Sequence, residues 1–446
     1  MSLRIVLVRH GLSSFNLEHR IQGRDDLSSL TPEGQSQARI TGEALRDLSF
    51  AAAYTSPLRR ARDTATELLQ AHGHGSTAHP SEDLLEIDLA PWSGLLRREL
   101  KEHFPQQEQL WREAPETLVL QRPGGEPYNP LLELSEQAKR FCSQLLSAHA
   151  EGLAARDQTV LVVAHNAILR CLLINLLELP LSAFRRLRVD NSSISVLNLD
   201  RKTCGGLAVQ VESLNSTAHL GTPLPPRGRG PRLVLVRHGE TDWNRQGRFQ
   251  GQIDIPLNAT GRNQAEAAGR FLAAVTIHRA YSSAMARPRQ TAEVILASHP
   301  GVPLTTSVGL IEIGHGLWEG QLEQEISETW PELLADWKRA PETVQMPEGE
   351  TIHTVWERSL KTWTTIATSL NSEETALVVA HDAVNKTIVC ALLGLTPSRI
   401  WTIKQGNGGV TVIDYPNGGG AAPVVSAINL TTHLGGVLDY TAAGAL

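Results

Sequence analysis

Along this chain, short apolar and β-branched runs repeatedly end in a histidine. Ile5 to Val8 leads into Arg9-His10-Gly11, Leu235-Val236 into Arg237-His238-Gly239, Val160 to Ala164 into His165, and Leu377 to Ala380 into His381. Continuous apolar runs of this length predict buried strands. Between them, helical spacing of apolar positions predicts amphipathic helices over Pro32 to Leu48, Arg60 to Ala71 and Ala167 to Leu177, with a further strand over Ala51 to Thr55. Strands alternating with helices imply an α/β fold with a mostly parallel sheet. Such sheets place ligands at the carboxyl ends of their strands, which is where these histidines fall.

The pattern occurs twice. Asn16, Arg20, Gln22 and Gly23 return at the same offsets as Asn244, Arg248, Gln250 and Gly251, so the chain is a tandem repeat. At 446 residues it exceeds the size at which a single core keeps growing, and two domains are expected. Residues 1–221 form the first, 222–231 a proline- and glycine-rich linker, and 232–446 the second. Ser216-Thr-Ala-His-Leu-Gly221 echoes Thr431-Thr-His-Leu-Gly435, so both domains are expected to close with the same strand and turn.

Composition narrows the class. Apolar residues at 41% and charged residues at 20% are ordinary globular proportions, and a net charge of -6 argues against a nucleic-acid partner. Cys142, Cys171, Cys204 and Cys390 are widely spaced, which suggests neither a disulfide framework nor a zinc knuckle and fits a cytoplasmic setting. The first strand starts almost at Met1, so no signal or transit peptide is expected; no apolar run reaches membrane-spanning length. His72, His74 and His79 sit in a glycine-rich loop without nearby carboxylates or thiols, and no metal site is expected there. Oligomeric state leaves no trace in the sequence.

The repeated residues suit phosphoryl chemistry. A phosphoryl group in transfer spreads negative charge over its oxygens, and the planar guanidinium fork matches it. Arg9 and Arg237 are the first candidates; Arg60 and Arg287, at matching positions in Ser56-Pro-Leu-Arg-Arg60 and Ser283-Ala-Met-Ala-Arg287, are the second. The latter two lie where a strand gives way to a helix, whose free N–H groups also favour an anion. A single copy would read as an exposed basic helix start; recurrence beside Arg-His-Gly reverses that ranking. Neutral histidine can attack phosphorus and carry it covalently, so His10 and His238 are the candidate nucleophiles, against the plainer alternative of hydrogen-bonded structural histidines. Glu86 and Glu312, each before a Trp-x-Gly turn, are candidate proton donors to the leaving alkoxide, unless they are solvated loop carboxylates. His165 and His381 would stabilise the phosphoryl oxygens, with Asn16 and Asn244 as neutral donors.

Taken together, these motifs resemble the histidine phosphatase superfamily in its phosphoglycerate mutase-like branch, with nearly the whole chain covered by two copies. His238-Gly-Glu-Thr-Asp-Trp-Asn244 is close to the family pattern; His10-Gly-Leu-Ser-Ser-Phe-Asn16 departs from it at Leu12, where glutamate is common. The resemblance implies two tandem three-layer α/β/α domains, each with a mostly parallel central sheet. It also implies a phosphohistidine on His10 or His238 and phosphate pockets of Arg9, Arg60 and His165 or Arg237, Arg287 and His381. Glu86 or Glu312 would be the proton donor, with neither metal nor organic cofactor.

The tandem layout is similar to that of plant family members acting on 2-carboxy-D-arabinitol 1-phosphate. In those proteins the second domain is degenerate, whereas here it keeps every motif residue. The expected activity is hydrolysis of a small sugar phosphate or sugar acid phosphate. A phosphoglycerate mutase is the first alternative, and one catalytic unit beside a binding or structural partner unit is the second. Between the glutamate and the second histidine the second unit is about ten residues shorter. Substrate choice is expected in the segments Trp111 to Leu134 and Trp330 to Glu350 there.

Overall fold

The computed structural model describes residues 2–149, 157–201 and 206–441; Cys204 lies outside them. The chain divides into two compact units. One comprises Met1–Gln210 with Leu214–Thr222, the other Val211–Ser213 with Pro223–Leu446.

In the first unit the strands are β1 (Ser2–Arg9), β2 (Ala52–Thr55), β3 (His79–Pro80), the short hairpin β4 (Leu120–Gln121) and β5 (Pro127–Tyr128), β6 (Gln158–Ala164), β7 (Ile194–Arg201) and β8 (Leu207–Ser216). Its helices are α1 (Ser14–Leu17), α2 (Pro32–Ala44), α3 (Arg59–His72), α4 (Arg97–His103), α5 (Pro105–Glu113), α6 (Pro130–Ala148) and α7 (Asn166–Leu177). The sheet order is β8-β7-β1-β6-β2-β3, with β1, β6, β2 and β3 mutually parallel and β7 antiparallel to β1. Helix α2 packs on α3 and α6 on α7, forming the outer layers of an α/β/α sandwich. Central strands covered on both faces must be apolar throughout, which is why Val160 to Ala164 are all buried.

The second unit repeats this plan with β9 (Arg232–Arg237), β10 (Arg279–Ser283), β11 (Leu304–Ser307), β12 (Thr375–Ala380), β13 (Val410–Asp414) and β14 (Val424–Leu430), in the order β11-β10-β12-β9-β13-β14. Its helices are α8 (Asp242–Gln246), α9 (Ala259–Leu272), α10 (Ala286–Leu296), α11 (Glu323–Thr329), α12 (Pro331–Arg339), α13 (Ile352–Ser369) and α14 (Asp382–Leu393). The proline-rich segment 222–231 packs onto this unit, with Leu224 buried in its core. Helix α2 stops at Ala44, short of the expected Leu48. Leu45 leaves the helical region at φ -95° and ψ 4°, and its side chain turns fully into the core.

Register positions the histidines. Strands β1 and β6 pair in parallel up to Arg9 opposite Ala164, so the next residues, His10 and His165, emerge side by side at the carboxyl edge. Pairing of Arg237 with Ala380 does the same for His238 and His381. The chain then turns sharply against the first long helix, which requires glycine. A Cβ on Gly34 would lie 2.1 Å from the Leu12 carbonyl oxygen, and one on Gly261 2.0 Å from that of Glu240.

Each unit closes on a short 3₁₀ turn, Ala218–Leu220 and Thr432–Leu434, that tucks in a histidine. Burial pushes both His219 and His433 down to about 4. A histidine kept neutral in the fold but protonated in the unfolded chain favours unfolding below its ordinary pKa. Stability is therefore fully present above about pH 6.5 and declines toward pH 4, at up to about 1.4 kcal/mol per pH unit for each such histidine. Denaturant midpoints at pH 7 and pH 5 check this; a midpoint that holds or rises on acidification contradicts it.

Candidate active site

His10 follows β1, and its backbone N–H donates to the Ala164 carbonyl at 2.9 Å. Its ring Nδ1 lies 2.8 Å from the Gly11 carbonyl oxygen. A carbonyl can only accept, so Nδ1 carries the proton and Nε2 keeps its lone pair. His238 is held likewise, with Nδ1 2.7 Å from the Gly239 carbonyl. Burial above all, then the charges of Arg60 and Arg9, hold His10 well below the ordinary imidazole range. Burial, Arg287 and Arg237 do the same for His238. Both are neutral at pH 7, the form in which Nε2 is nucleophilic.

Arginines close around them. Arg60, at the start of α3, is 1% exposed, and its Nη atoms donate to the carbonyls of Asp25 at 2.8 Å and Gly23 at 2.9 Å. Arg287 is fully buried, donates to Gly251 and Ile253, and brings Nε to 3.3 Å from His238 Nε2. Arg9 donates to the Val189 carbonyl at 2.9 Å and Arg237 to that of Gln405 at 2.6 Å. In Arg9, Arg60 and Arg237, Nε is buried without a partner, so each guanidinium keeps a donor for an anion. Burial lowers Arg9 and Arg287 to about 10, as expected of cations lacking a bound counter-ion.

The second histidines lie beside the first, with ring centroids 5.1 Å apart in both pairs and ring planes inclined at 59° for His10–His165 and 69° for His238–His381. Nε2 of His165 meets the Ser56 hydroxyl at 2.8 Å and that of His381 meets Ser283 at 2.9 Å; the buried Nδ1 of each has no partner. Asn16 and Asn244 accept through their side-chain oxygens from Asn191 and Asn407 and line the pockets.

Glu86 and Glu312 are buried, at 9% and 4% exposure, so neither is a solvated loop carboxylate. Helices α7 and α14 lack a side-chain cap of their own, and these glutamates supply it from afar. Glu86 accepts from the N–H groups of Ala167 and Ile168 at 3.1 Å each, and Glu312 from Asp382 at 3.1 Å and Ala383 at 3.4 Å. The cap fixes each carboxyl group against its pocket wall. Burial first, and then the Asp382 charge, push Glu312 up from the usual carboxylate range.

All twelve residues singled out in the sequence thus gather into two sites of six. The sequence reading missed their supports. Ser56 and Ser283 orient the second histidines, and the Thr64 and Thr291 hydroxyls accept from Gly11 and Gly239; all four recur at equal offsets inside the motifs. Asn191 and Asn407, which donate to the carbonyls of His10 and His238, open matching strings outside those motifs, Asn191-Ser-Ser-Ile-Ser-Val196 and Asn407-Gly-Gly-Val-Thr-Val412, each 26 residues after the second histidine. The wall of the first pocket comes from α4, α5, α7 and the turn after it, more than from Trp111 to Leu134. Four of the ten extra residues in the first unit form the β4–β5 hairpin; most of the rest follow α6. The first cavity measures about 450 Å³ and the second about 10 Å³.

A parallel-sheet frame with arginines and neutral histidines at its carboxyl edge defines an α/β protein of the phosphoryl-handling class. The chain belongs to the histidine phosphatase superfamily (branch 1), whose family model matches residues 5–211 and again 233–428. It is 30% identical to 2-carboxy-D-arabinitol-1-phosphatase of Triticum aestivum, over 97% of this chain and 86% of that protein. Phosphoserine phosphatase 1 of Hydrogenobacter thermophilus is 32% identical over 46% of this chain and 94% of its own length. A probable phosphoglycerate mutase of Salmonella choleraesuis is 33% identical over 50% of this chain and 96% of its own length. Among the described residues no helix is long and apolar enough to cross a membrane.

Proposed function

We infer that this chain is a phosphatase, a metal-independent phosphomonoesterase for small phosphorylated metabolites that works through a phosphohistidine. The observation that carries this reading is the neutral His10 Nε2 in a pocket of buried arginines, repeated at His238. Nε2 attacks phosphorus and the ester oxygen leaves with a proton from Glu86 or Glu312. Water then attacks the phosphohistidine, returns a proton to that carboxylate and frees inorganic phosphate. The arginines and His165 or His381 offset charge on the phosphoryl oxygens throughout. Sugar phosphates and sugar acid phosphates are the substrate class, and 2-carboxy-D-arabinitol 1-phosphate is the first to try, given the full-length plant relative. Buried thiols at Cys142, Cys171 and Cys390 suit a cytoplasmic setting.

A mutase must keep water from its phosphohistidine. The first cavity, at about 450 Å³, gives water room beside His10. Incubation with 3-phosphoglycerate is accordingly expected to release inorganic phosphate faster than it yields 2-phosphoglycerate. Faster isomerisation, followed by phosphorus NMR, overturns the phosphatase reading in favour of a mutase.

A further inference from the structure

The two sites share their phosphoryl pocket and differ in the wall beyond it. Among the described residues lining the first cavity are seven arginines against two carboxylates, Glu86 and Glu108. Arg9 and Arg60 serve the phosphoryl group, and Arg20 is paired with Glu18 at 2.6 Å. Arg97, Arg112, Arg170 and Arg185 remain. Arg112 pairs with the exposed Glu113 at 3.1 Å, and Arg97, Arg170 and Arg185 make no ion pair among the described residues. Arg170 Nε is buried with no partner at all. The Arg185 guanidinium is seated 4.5 Å over the Trp111 ring, donating from Nε to the Trp111 carbonyl at 3.0 Å, so it is held in place at the cavity rim. Burial, and then the Arg185 charge, lowers Arg170 to about 9; burial, and then the Arg97 charge, lowers Arg185 to about 10. With three of these four arginines outside any ion pair among the described residues and arginines outnumbering carboxylates seven to two in the lining, the wall suits an anion larger than one phosphate.

The second unit is the internal control, because its elements match in length. The first position of α4, Arg97, is Glu323 in α11; the eighth of α5, Arg112, is Lys338 in α12. The fifth of α7, Arg170, is Lys386 in α14, and the fifth of the following 3₁₀ turn, Arg185, is Trp401. Each cation there is already satisfied. Lys338 pairs with Glu323 at 2.5 Å, and Lys386 pairs with Asp382 at 2.7 Å under the Trp401 ring.

We propose that Arg97, Arg112, Arg170 and Arg185 form a second anion subsite, so that the first unit selects phosphate esters carrying another acidic group, a carboxylate or a second phosphate. The inference rests on the phosphatase reading and adds what the first unit recognises. With unit 2 silenced by His238→Ala, kcat/KM for 3-phosphoglycerate is expected to exceed that for glycerol 3-phosphate, which lacks the carboxylate, by about tenfold or more. Glycerol 1,3-bisphosphate as a third substrate tells a second phosphate from a carboxylate as the preferred group. Arg170→Gln and Arg185→Gln are each expected to narrow the ratio by roughly tenfold, the size of one lost charge-assisted contact, and Arg185→Lys to keep part of it. Partial unfolding lowers both substrates together and leaves the ratio alone. No preference in the parent, a ratio untouched by both Gln variants, or an equal preference from unit 2 in a His10→Ala protein overturns the proposal. If the His238→Ala protein hydrolyses none of them, the phosphatase reading of unit 1 fails. The subsite is then read from calorimetric affinities for 3-phosphoglycerate and glycerol 3-phosphate, under the same ratio criterion.

Discussion

Glu86→Gln, in a chain also carrying His238→Ala, is expected to slow hydrolysis of an alkyl phosphate such as glycerol 3-phosphate by about 10²- to 10⁴-fold, the usual contribution of a positioned general acid. An alkoxide is too basic to leave without a proton, and Glu86 is a buried carboxyl group in the wall of the His10 pocket. Glutamine keeps the carbonyl that accepts from Ala167 and Ile168, so α7 stays capped while the transferable proton is gone. A nitrophenolate leaves unaided, and the first turnover of p-nitrophenyl phosphate should change by less than about tenfold. Stopped-flow release of nitrophenol beside alkyl-phosphate turnover separates the two cases. Equal losses on both substrates contradict proton donation and leave Glu86 a helix cap alone. Glu312→Gln with His10→Ala repeats the experiment for unit 2. There burial and Asp382 raise the carboxyl group, so its proton-donating form persists to higher pH than that of an ordinary carboxyl group.

Much of this was legible in the sequence because the chemistry is repeated. Arg9, His10, Arg60 and their partners in the second unit stand at strand ends or helix starts, where apolar periodicity and one Arg-His-Gly string locate them. Neither strand register nor cross-chain capping has such a signature. That Arg9 lies opposite Ala164, bringing His10 against His165, depends on pairing between segments far apart in the chain. That Glu86 caps α7 is invisible because α7 shows no capping residue of its own; the cap is a glutamate on a distant loop. Asn191 and Asn407 do recur, each 26 residues after the second histidine, but in strings of small and apolar residues with no charge or histidine to mark them as part of a site. The arginine wall escaped for the opposite reason. Arg97, Arg112, Arg170 and Arg185 are not repeated, and a reading built on recurrence discounts what occurs once.

The paired geometry supports two working sites, each using its own histidine as nucleophile. Both histidines present Nε2 with Nδ1 bound to the following carbonyl, and both are held neutral by burial and arginine charge. Alanine leaves the arginine pocket in place but offers phosphorus no acceptor, and removal of a covalent nucleophile commonly costs about 10⁴-fold or more. The narrower second cavity makes the contribution of unit 2 the sharper question. The measurement that addresses it most directly is phosphate release from p-nitrophenyl phosphate, without added metal, by the wild type, His10→Ala, His238→Ala and the double variant. Two active phosphohistidine sites predict a partial loss in each single variant and a loss of about 10⁴-fold in the double. Near-complete loss in one single variant contradicts two working sites and makes the other unit a binding or structural partner; retained activity in the double variant contradicts the histidine mechanism altogether.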